Sequence, residues 1–338
     1  MKKNHLIALS FAALISLNAA PAAATSPVPI PVIKAPEFPS PGEIVAAAPA
    51  SDWAAIAPSD LLVMELAKNA KGQERRVVIQ LMPAPFSQGW VGNIRKLAAA
   101  RFWEGTSINR VQDNYVVQWG DATEKKALPS GLLSVPETEY IQPQAEEKKD
   151  DKVLYEMFME KNPEIFSSAF LSVNDPYAAV TRFDYGWPIG LAKNHKGVTK
   201  WPVHCYGMVG VGRNLSPDTG TGAELYTVIG HAPRHLDRNI ALVGRVIEGM
   251  EHLSALPRGT GDLGFYKTAQ ERTAITSVRM MSEMPQDKSL PVYEFLSTES
   301  ESFAKYASAR ANRRDPFFIK PAGGADICNI PVPVRRKL

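Results

Sequence analysis

The sequence predicts a mainly β protein whose central domain is a closed β-barrel. Short segments rich in β-branched and aromatic residues recur along the chain, whereas helical periodicity is confined to a few segments. Glycines lie between or within many of these strand-like segments. Closing a sheet on itself removes its exposed edges, so many short strands favour a barrel. The barrel domain should span residues 53–285, after two N-terminal segments of a different character.

The N-terminal segment, residues 1–24, has the pattern of a secretory signal peptide. Lys2 and Lys3 precede the apolar run Leu6–Leu17, and small residues follow up to Ala24. The apolar run is short for a membrane-spanning helix, although an uncleaved anchor is the alternative. We therefore expect a periplasmic or secreted protein with no stable membrane insertion after signal removal.

Residues 25–52 read as a linker rich in proline and alanine. They show no hydrophobic period, which is typical of an extended, mostly disordered tether. A packed domain should then begin near Trp53. Loss of Lys2 and Lys3 lowers the formal net charge from +3 to +1, so the composition predicts no nucleic-acid partner.

Alternating apolar residues predict a strand over Arg75–Met82. The period then changes, because Trp90, Ile94 and Leu97 recur at helical spacing after Ser87, a candidate N-cap. Six further segments have strand character: TSINRV, NYVVQWGD, CYGMVGVG, ELYTVIG, IALVGRVI and RTAITSVRMM.

Two regions fit a barrel less well. Residues 122–182 contain the charge run EEKKDDK and then LYEMFMEKNPEIFSSAF, which predict a solvated linker and a helical insertion. Residues 286–338 contain a candidate helix, ESESFAKYASARANRR, before a tail rich in proline and glycine. This tail predicts an irregular C-terminal extension packed on the barrel. Glu248–Leu256 is a further short candidate helix.

The chain has two cysteines, Cys205 and Cys328. In a reducing compartment they would be two buried thiols, but in an oxidising one a disulfide is favoured. Because the N-terminus predicts export, we expect the disulfide. It would hold the C-terminal extension against the barrel.

Common catalytic signatures are missing. The sequence contains no G-x-S-x-G, no Walker loop and no H-E-x-x-H. His231 and His235 have a spacing that suits a metal site on a helix, but Pro233 between them argues against that helix. We therefore expect no metal and no cofactor.

Three motifs together resemble the cyclophilins. Ser107–Asp121, SINRVQDNYVVQWGD, repeats the family's spacing from Arg to an aromatic residue and to Gln, here Arg110, Tyr115 and Gln118. GAELYT resembles the family's Gly-Ser-Gln-Phe-Phe-Ile, and HLDRNI resembles its Trp-Leu-Asp-Gly-x-His. The motifs occur in the family's order, and the resemblance covers roughly residues 74–121 and 204–256.

The resemblance implies an eight-stranded antiparallel barrel capped by two helices, with peptidyl-prolyl cis–trans isomerase activity. Its ligand groove would lie on the outer face of the barrel and bind proline-containing polypeptides, here exported proteins. Arg110 would be the catalytic residue, and Gln118 would orient it or bond the substrate backbone. The other groove residues carried over are Tyr115, Val116, Glu224, Tyr226, His235 and Leu236.

This activity suits a site without a nucleophile. The barrier to rotation about an X-Pro bond is roughly 18–20 kcal/mol, because the amide nitrogen is conjugated with the carbonyl. Lowering it requires an apolar pocket for the proline ring and a donor that favours a pyramidal nitrogen. Arginine is always charged and rigid in its fork, and a preorganised donor is typically worth about 3–4 kcal/mol.

Alternatives remain for each residue and for the whole chain. Arg110 taken alone would be a surface charge on a strand edge, and Tyr115 and Tyr226 would be ordinary core aromatics. Glu224 and His235 depart from the family's Gln and Trp, as Asn109, Trp119 and Ile240 depart from its His, Gly and His. Glu224 would either compete with substrate for Arg110 or select peptides with an extra donor. The alternative function is a weakly active or inactive module that grips proline-containing chains.

Overall fold

The computed structural model describes residues 38–143, 170–194, 197–285 and 290–337. Its helices are α1 (Pro41–Ala47), α2 (Gln88–Ala99), α3 (Glu251–Ser254) and α4 (Glu301–Ala311). Its strands are β1 (Trp53–Ala55), β2 (Leu61–Leu66), β3 (Arg75–Leu81), β4 (Ser107–Val111), β5 (Val116–Gly120), β6 (Gln142–Pro143), β7 (Phe170–Asp175), β8 (Ala178–Asp184), β9 (Trp187–Asn194), β10 (Gly197–Pro202), β11 (Met208–Val211), β12 (Leu225–Val228), β13 (Leu242–Glu248), β14 (Thr273–Met280), β15 (Tyr293–Leu296) and β16 (Val334–Arg336).

Eight strands close into a barrel in the order β11–β12–β5–β4–β14–β2–β3–β13, and β13 pairs again with β11. Every neighbouring pair is antiparallel. The mainly β fold and the closed eight-stranded antiparallel barrel are thereby confirmed. Seven of the eight strands were predicted from the sequence, and β2 was not. Five of the six side chains of β2 are buried. The strand therefore lacks the alternation of apolar and polar residues that is typical of a strand with one solvent-exposed face.

Two helices pack on the barrel. Helix α2 contacts β13 and β14, and α3 contacts β3. Trp90, Ile94 and Leu97 of α2 are fully buried, as their helical spacing predicts. Ser87 does precede the first turn of α2, but it lies in the left-handed region at φ 53° and its side chain caps no backbone N–H. The capping role predicted for Ser87 is therefore wrong.

The described part of the insertion is a second sheet, with strand order β6–β10–β9–β8–β7. We predicted a helical insertion over residues 122–182, whereas this region contains β6 and then strands from Phe170 onward, and the sheet runs on to Pro202. The β8–β9 hairpin turns on Tyr185 and Gly186, both with positive φ, as two-residue hairpin turns prefer. The segment LYEMFMEKNPEIFSSA, on which the helix prediction depended, lies outside the described residues.

The end of the predicted linker is ordered. Helix α1 starts with a capping box, in which Ser40 accepts from the backbone N–H of Glu43 and the Glu43 carboxylate accepts from the backbone N–H of Ser40. Helix α1 packs against α4. Because α1 is ordered, the folded part begins before Trp53. The dense prolines around it hid this Ser-x-x-Glu signal in the sequence.

The remainder of the linker and the predicted signal peptide lie outside the described residues. Among the residues that are described, no helix is long and apolar enough to cross a bilayer.

The C-terminal extension joins a third sheet, with strand order β1–β15–β16. Helix α4 confirms the helix predicted there and buries Phe303 completely. The segment between α4 and β16 is mostly irregular, as its proline and glycine content predicts. Strands β15 and β16 were not predicted, because each is short and forms by pairing with a partner distant in sequence.

The predicted disulfide between Cys205 and Cys328 is present. The S–S distance is 2.04 Å and the Cα atoms are 5.1 Å apart, within the usual range for a disulfide. The bond links residues separated by 123 positions. It holds the short helical turn Ile327–Asn329 of the tail against the segment that leads into β11.

Replacing both cysteines by serine should lower the free energy of unfolding by about 5 kcal/mol, because a closed loop of this length restricts the unfolded chain. Urea titration of the oxidised protein and of the double variant measures the difference. Mass spectrometry of unreduced, alkylated protein is the control, and two alkylated cysteines in material from an oxidising compartment would contradict the pairing.

Candidate active site

Four residues form a row across adjacent barrel strands. Arg110 on β4 is paired in register with Gln118 on β5, Gln118 with Tyr226 on β12, and Tyr226 with Gly210 on β11. Residues paired in this way project from the same face of a sheet. Val117, which projects to the opposite face from Gln118, lies in the barrel core. The row therefore lies on the outer face of the barrel.

Hydrogen bonds connect the charged end of this row. Arg110 Nη1 donates to Gln118 Oε1 at 3.0 Å, and Gln118 Nε2 donates to Glu224 Oε1 at 2.8 Å. Arg110 Nε donates to the carbonyl oxygen of Leu263 at 2.7 Å, and its Nη2 donates to Gln112 Oε1. Gln118 thus orients Arg110 while its own amide is oriented by Glu224.

Aromatic rings flank the guanidinium of Arg110. Its Cζ lies 5.7 Å from the ring centroid of Tyr115 and 5.2 Å from that of Phe265, within the range of cation–π contacts. Burial lowers the pKa of Arg110, while the Tyr115 hydroxyl and the Glu224 carboxyl act in the opposite direction. An arginine side chain nevertheless stays protonated in proteins. Arg110 is therefore a half-buried cation held in one orientation.

A small apolar cluster continues the row away from Arg110. Val116, Tyr226 and Val228 are buried and pack together, separately from the barrel core, and Tyr115 and Ile240 cover them in part. The ring of Tyr226 lies against Gly210, where an added Cβ would come within 2.3 Å of the Tyr226 hydroxyl oxygen. A side chain on residue 210 would displace that ring, so glycine is required at this position.

His235 and Leu236 stand in the short helical turn Arg234–Leu236. His235 is exposed, and its ring stacks on that of Tyr115 with the centroids 6.4 Å apart and the planes 9° from parallel. Leu236 is half-buried in the same turn. The structure thus brings His235 to the edge of the cluster through Tyr115. Pro233 precedes the turn, and His231 lies outside it, so the two histidines do not share a regular helix.

Four residues of the site were not predicted from the sequence. Leu263, Gln112 and Phe265 contact Arg110, and His204 contacts Tyr226. Leu263 contributes only its backbone carbonyl oxygen. Every residue type has this group, so the sequence gives no sign of the contact. Of these four residues, His204 is the one that the sequence could have indicated. It is a polar aromatic residue that directly precedes Cys205, a member of the predicted disulfide.

Comparison with known protein families identifies the family of this chain. The family model for cyclophilin-type peptidyl-prolyl cis-trans isomerases matches residues 68–280. The chain belongs to the cyclophilin family. It is thus a peptidyl-prolyl cis-trans isomerase of the cyclophilin type, and the resemblance on which the sequence analysis depended is confirmed.

Solved cyclophilins provide structural relatives. The fold is similar to that of cyclophilin AquaCyp293 from Hirschia baltica, with a TM-score of 0.57 and 22% identity over 84% of this chain and 92% of that one. A Cryptosporidium parvum cyclophilin-type isomerase, solved in the presence of the dipeptide Ala-Pro, gives a TM-score of 0.35 and 10% identity over 64% of this chain and 98% of that one. No curated protein matches the sequence.

Glu224 is the main electrostatic departure from the family motif. Burial raises the pKa of its carboxyl, as does the nearby Glu124, whereas the hydrogen bond from Gln118 and the charge of Arg110 lower it, and the net shift is upward. A folded-state pKa above the unfolded value means that ionisation of Glu224 costs stability as the pH rises through the folded pKa.

Replacing Glu224 by Gln should therefore stabilise the protein at pH 7.5, because the buried charge is removed and the amide oxygen can still accept from Gln118. The difference in stability between the variant and the parent should disappear near pH 4, where the Glu224 carboxyl is protonated in the folded state. Thermal melts at both pH values measure this. Glu251→Gln, at an exposed side chain, is the control. A Glu224→Gln variant less stable than the parent at pH 7.5 would contradict the assignment.

Proposed function

We propose that this cyclophilin isomerises X-Pro bonds of exported proteins by Arg110-assisted rotation in the outer-face groove. The observation that carries the proposal is the row Arg110–Gln118–Tyr226, which places an oriented cation beside an apolar cluster. The protein itself would be periplasmic or secreted. The signal-like N-terminus and the disulfide between Cys205 and Cys328 support that location.

The donor capacity of Arg110 suits the proposed role. A guanidinium has five N–H groups. Three of them donate to Leu263, Gln118 and Gln112. No further hydrogen-bond partner of Arg110 occurs in the described part of the chain, so two N–H groups are available to a substrate. Three fixed bonds hold the guanidinium in place, and its remaining donors can meet the prolyl amide without reorganisation.

The apolar cluster suits the proline ring. Val116 and Tyr226 would form the floor, and Tyr115 would form the side nearest Arg110. Rotation about an X-Pro bond twists the amide out of plane and leaves a lone pair on its nitrogen. A donor from Arg110 stabilises that lone pair, and the ring stays bound by apolar contact while the preceding residue turns. No metal, nucleophile or cofactor takes part.

Glu224 would set which peptides bind well. Its carboxylate accepts from Gln118 through one oxygen, and within the described residues its side chain makes no other hydrogen bond. A substrate residue that carries a donor or a positive charge next to the proline would satisfy the second oxygen. Peptides with an acidic residue there would be disfavoured, because like charges would meet in a partly buried site.

Replacing Arg110 by Ala should lower kcat/KM for a proline tetrapeptide about 10²–10³-fold, the usual cost of losing one preorganised donor. A protease-coupled assay of cis–trans conversion measures the loss, and circular dichroism checks the fold. Arg95→Ala is the matched control, because Arg95 lies on α2 and its partners are Ser59 and Asp60. Full activity in Arg110→Ala with an unchanged spectrum would overturn the assigned role. Peptide binding by the parent without turnover would instead favour a binding module.

A further inference from the structure

A chain of five side chains runs from the floor of the groove into the insertion sheet. The hydroxyl of Tyr226 lies 2.8 Å from His204 Nε2, and His204 Nδ1 lies 2.8 Å from Asp237 Oδ1. Arg234 Nε donates to Asp237 Oδ2 at 2.7 Å. The two Nη atoms of Arg234 then donate to the two carboxylate oxygens of Asp175 at 2.8 and 2.9 Å. Tyr226 is thus connected to the last residue of β7.

The Asp237 carboxylate fixes the orientation of the His204 ring. Burial acts to raise the pKa of Asp237, but its bonds and charge interactions with His204 and Arg234 outweigh this and hold it below the usual value. An ionised carboxylate only accepts, so His204 Nδ1 is a donor. His204 Nε2 then shares its hydrogen bond with the Tyr226 hydroxyl. The tyrosine hydroxyl is therefore tied to a ring that Asp237 orients.

The four side chains behind Tyr226 are all buried. The side chains of His204 and Asp237 are 1% exposed, that of Arg234 is 3% exposed, and that of Asp175 is 2% exposed. A buried ion pair is costly to break, because removal of one partner leaves an uncompensated charge. The ring of Tyr177 also lies under the guanidinium of Arg234, 5.1 Å from its Cζ. Breaking any of the chain's charged links would therefore be costly.

Both segments added to the barrel meet at Arg234. Asp175 and Tyr177 belong to the β7–β8 hairpin of the insertion. Asp326 of the C-terminal extension lies 3.6 Å from Arg234, and the disulfide joins Cys328 to Cys205, the residue after His204. The position of the Tyr226 ring thus depends on contacts that lie outside the barrel.

We propose that Asp175 and Arg234 are positioning residues for the groove, through which the insertion sheet fixes the ring of Tyr226 in the geometry that binds proline. The inference rests on the proposed function, because it takes Tyr226 as the floor of the proline pocket. Asp175 acts through Arg234, Asp237 and His204, and it touches no substrate.

The test begins with a matched pair of variants in the same sheet. Asp175→Asn removes the charge that holds Arg234. Asp184→Asn removes a comparable buried charge on β8, which pairs with Arg182 and Lys200, neither of them a member of the five-residue chain. We expect kcat/KM to fall about tenfold in Asp175→Asn, because small displacements of a binding geometry are costly in rate. We expect it to stay within about twofold of the parent in Asp184→Asn.

A double-mutant cycle with Tyr226→Phe then tests the route. Phenylalanine keeps the ring and removes the hydroxyl, so it cuts the chain at its last link. If Asp175 acts through that hydroxyl, Asp175→Asn should cause no further loss in the Tyr226→Phe background. Losses that multiply would overturn the proposal, since a general loss of stability would give the same result in either background. Equal losses in Asp175→Asn and Asp184→Asn would overturn it as well.

A third variant and a second measurement separate the possible failures. If Asp175→Asn does not fold, Asp175→Glu keeps the charge and displaces it by one methylene, and its smaller loss should also vanish beside Tyr226→Phe. Calorimetric binding of an Ala-Pro peptide to the same variants gives a readout that does not need turnover. If Arg110→Ala loses activity as expected while Asp175→Asn behaves like Asp184→Asn, this inference fails and the proposed function stands.

Discussion

The hydrogen bond between the Tyr226 hydroxyl and His204 Nε2 is the contact on which the arrangement of the groove depends. A tyrosine on this strand would otherwise bury an unsatisfied hydroxyl beside an apolar pocket, which costs free energy. His204 satisfies that hydroxyl, Asp237 orients His204, and Arg234 neutralises Asp237. One polar atom in the groove therefore requires a buried charged network behind it, and this network involves the insertion and the C-terminal extension.

The charged end of the groove balances two demands. Arg110 needs acceptors that hold its guanidinium still, and Gln118, Gln112 and the Leu263 carbonyl supply them without a negative charge. Glu224 stands one residue further away and reaches Arg110 through Gln118. In the proposed role, a carboxylate in direct contact would occupy the donors intended for a prolyl amide. Placing the charge behind a neutral amide orients Arg110 and leaves two of its N–H groups without a partner among the described residues.

The sequence predicted those elements of the fold that depend on the spacing of neighbouring residues. Periodicity located seven barrel strands and helices α2, α3 and α4. The family resemblance assigned Arg110, Gln118 and Tyr226 to one groove, and the structure places them in one row. Periodicity missed β2, which is buried on both faces, and β15 and β16, which depend on distant partners. Leu263 and Asp175 were out of reach for the same reason, and the only sign of His204 was its position beside Cys205. Their roles arise from tertiary contacts with residues that no local pattern connects to them.

The most direct test of the central claim is two-dimensional exchange NMR on an Ala-Pro peptide with the protein at substoichiometric concentration. Uncatalysed X-Pro isomerisation takes tens of seconds or longer, too slow to give exchange cross-peaks. The account predicts cross-peaks between the cis and trans proline resonances with the parent protein, and line broadening without cross-peaks with Arg110→Ala. Broadening without cross-peaks from the parent protein would show a groove that binds proline without turning it over, and would contradict the account.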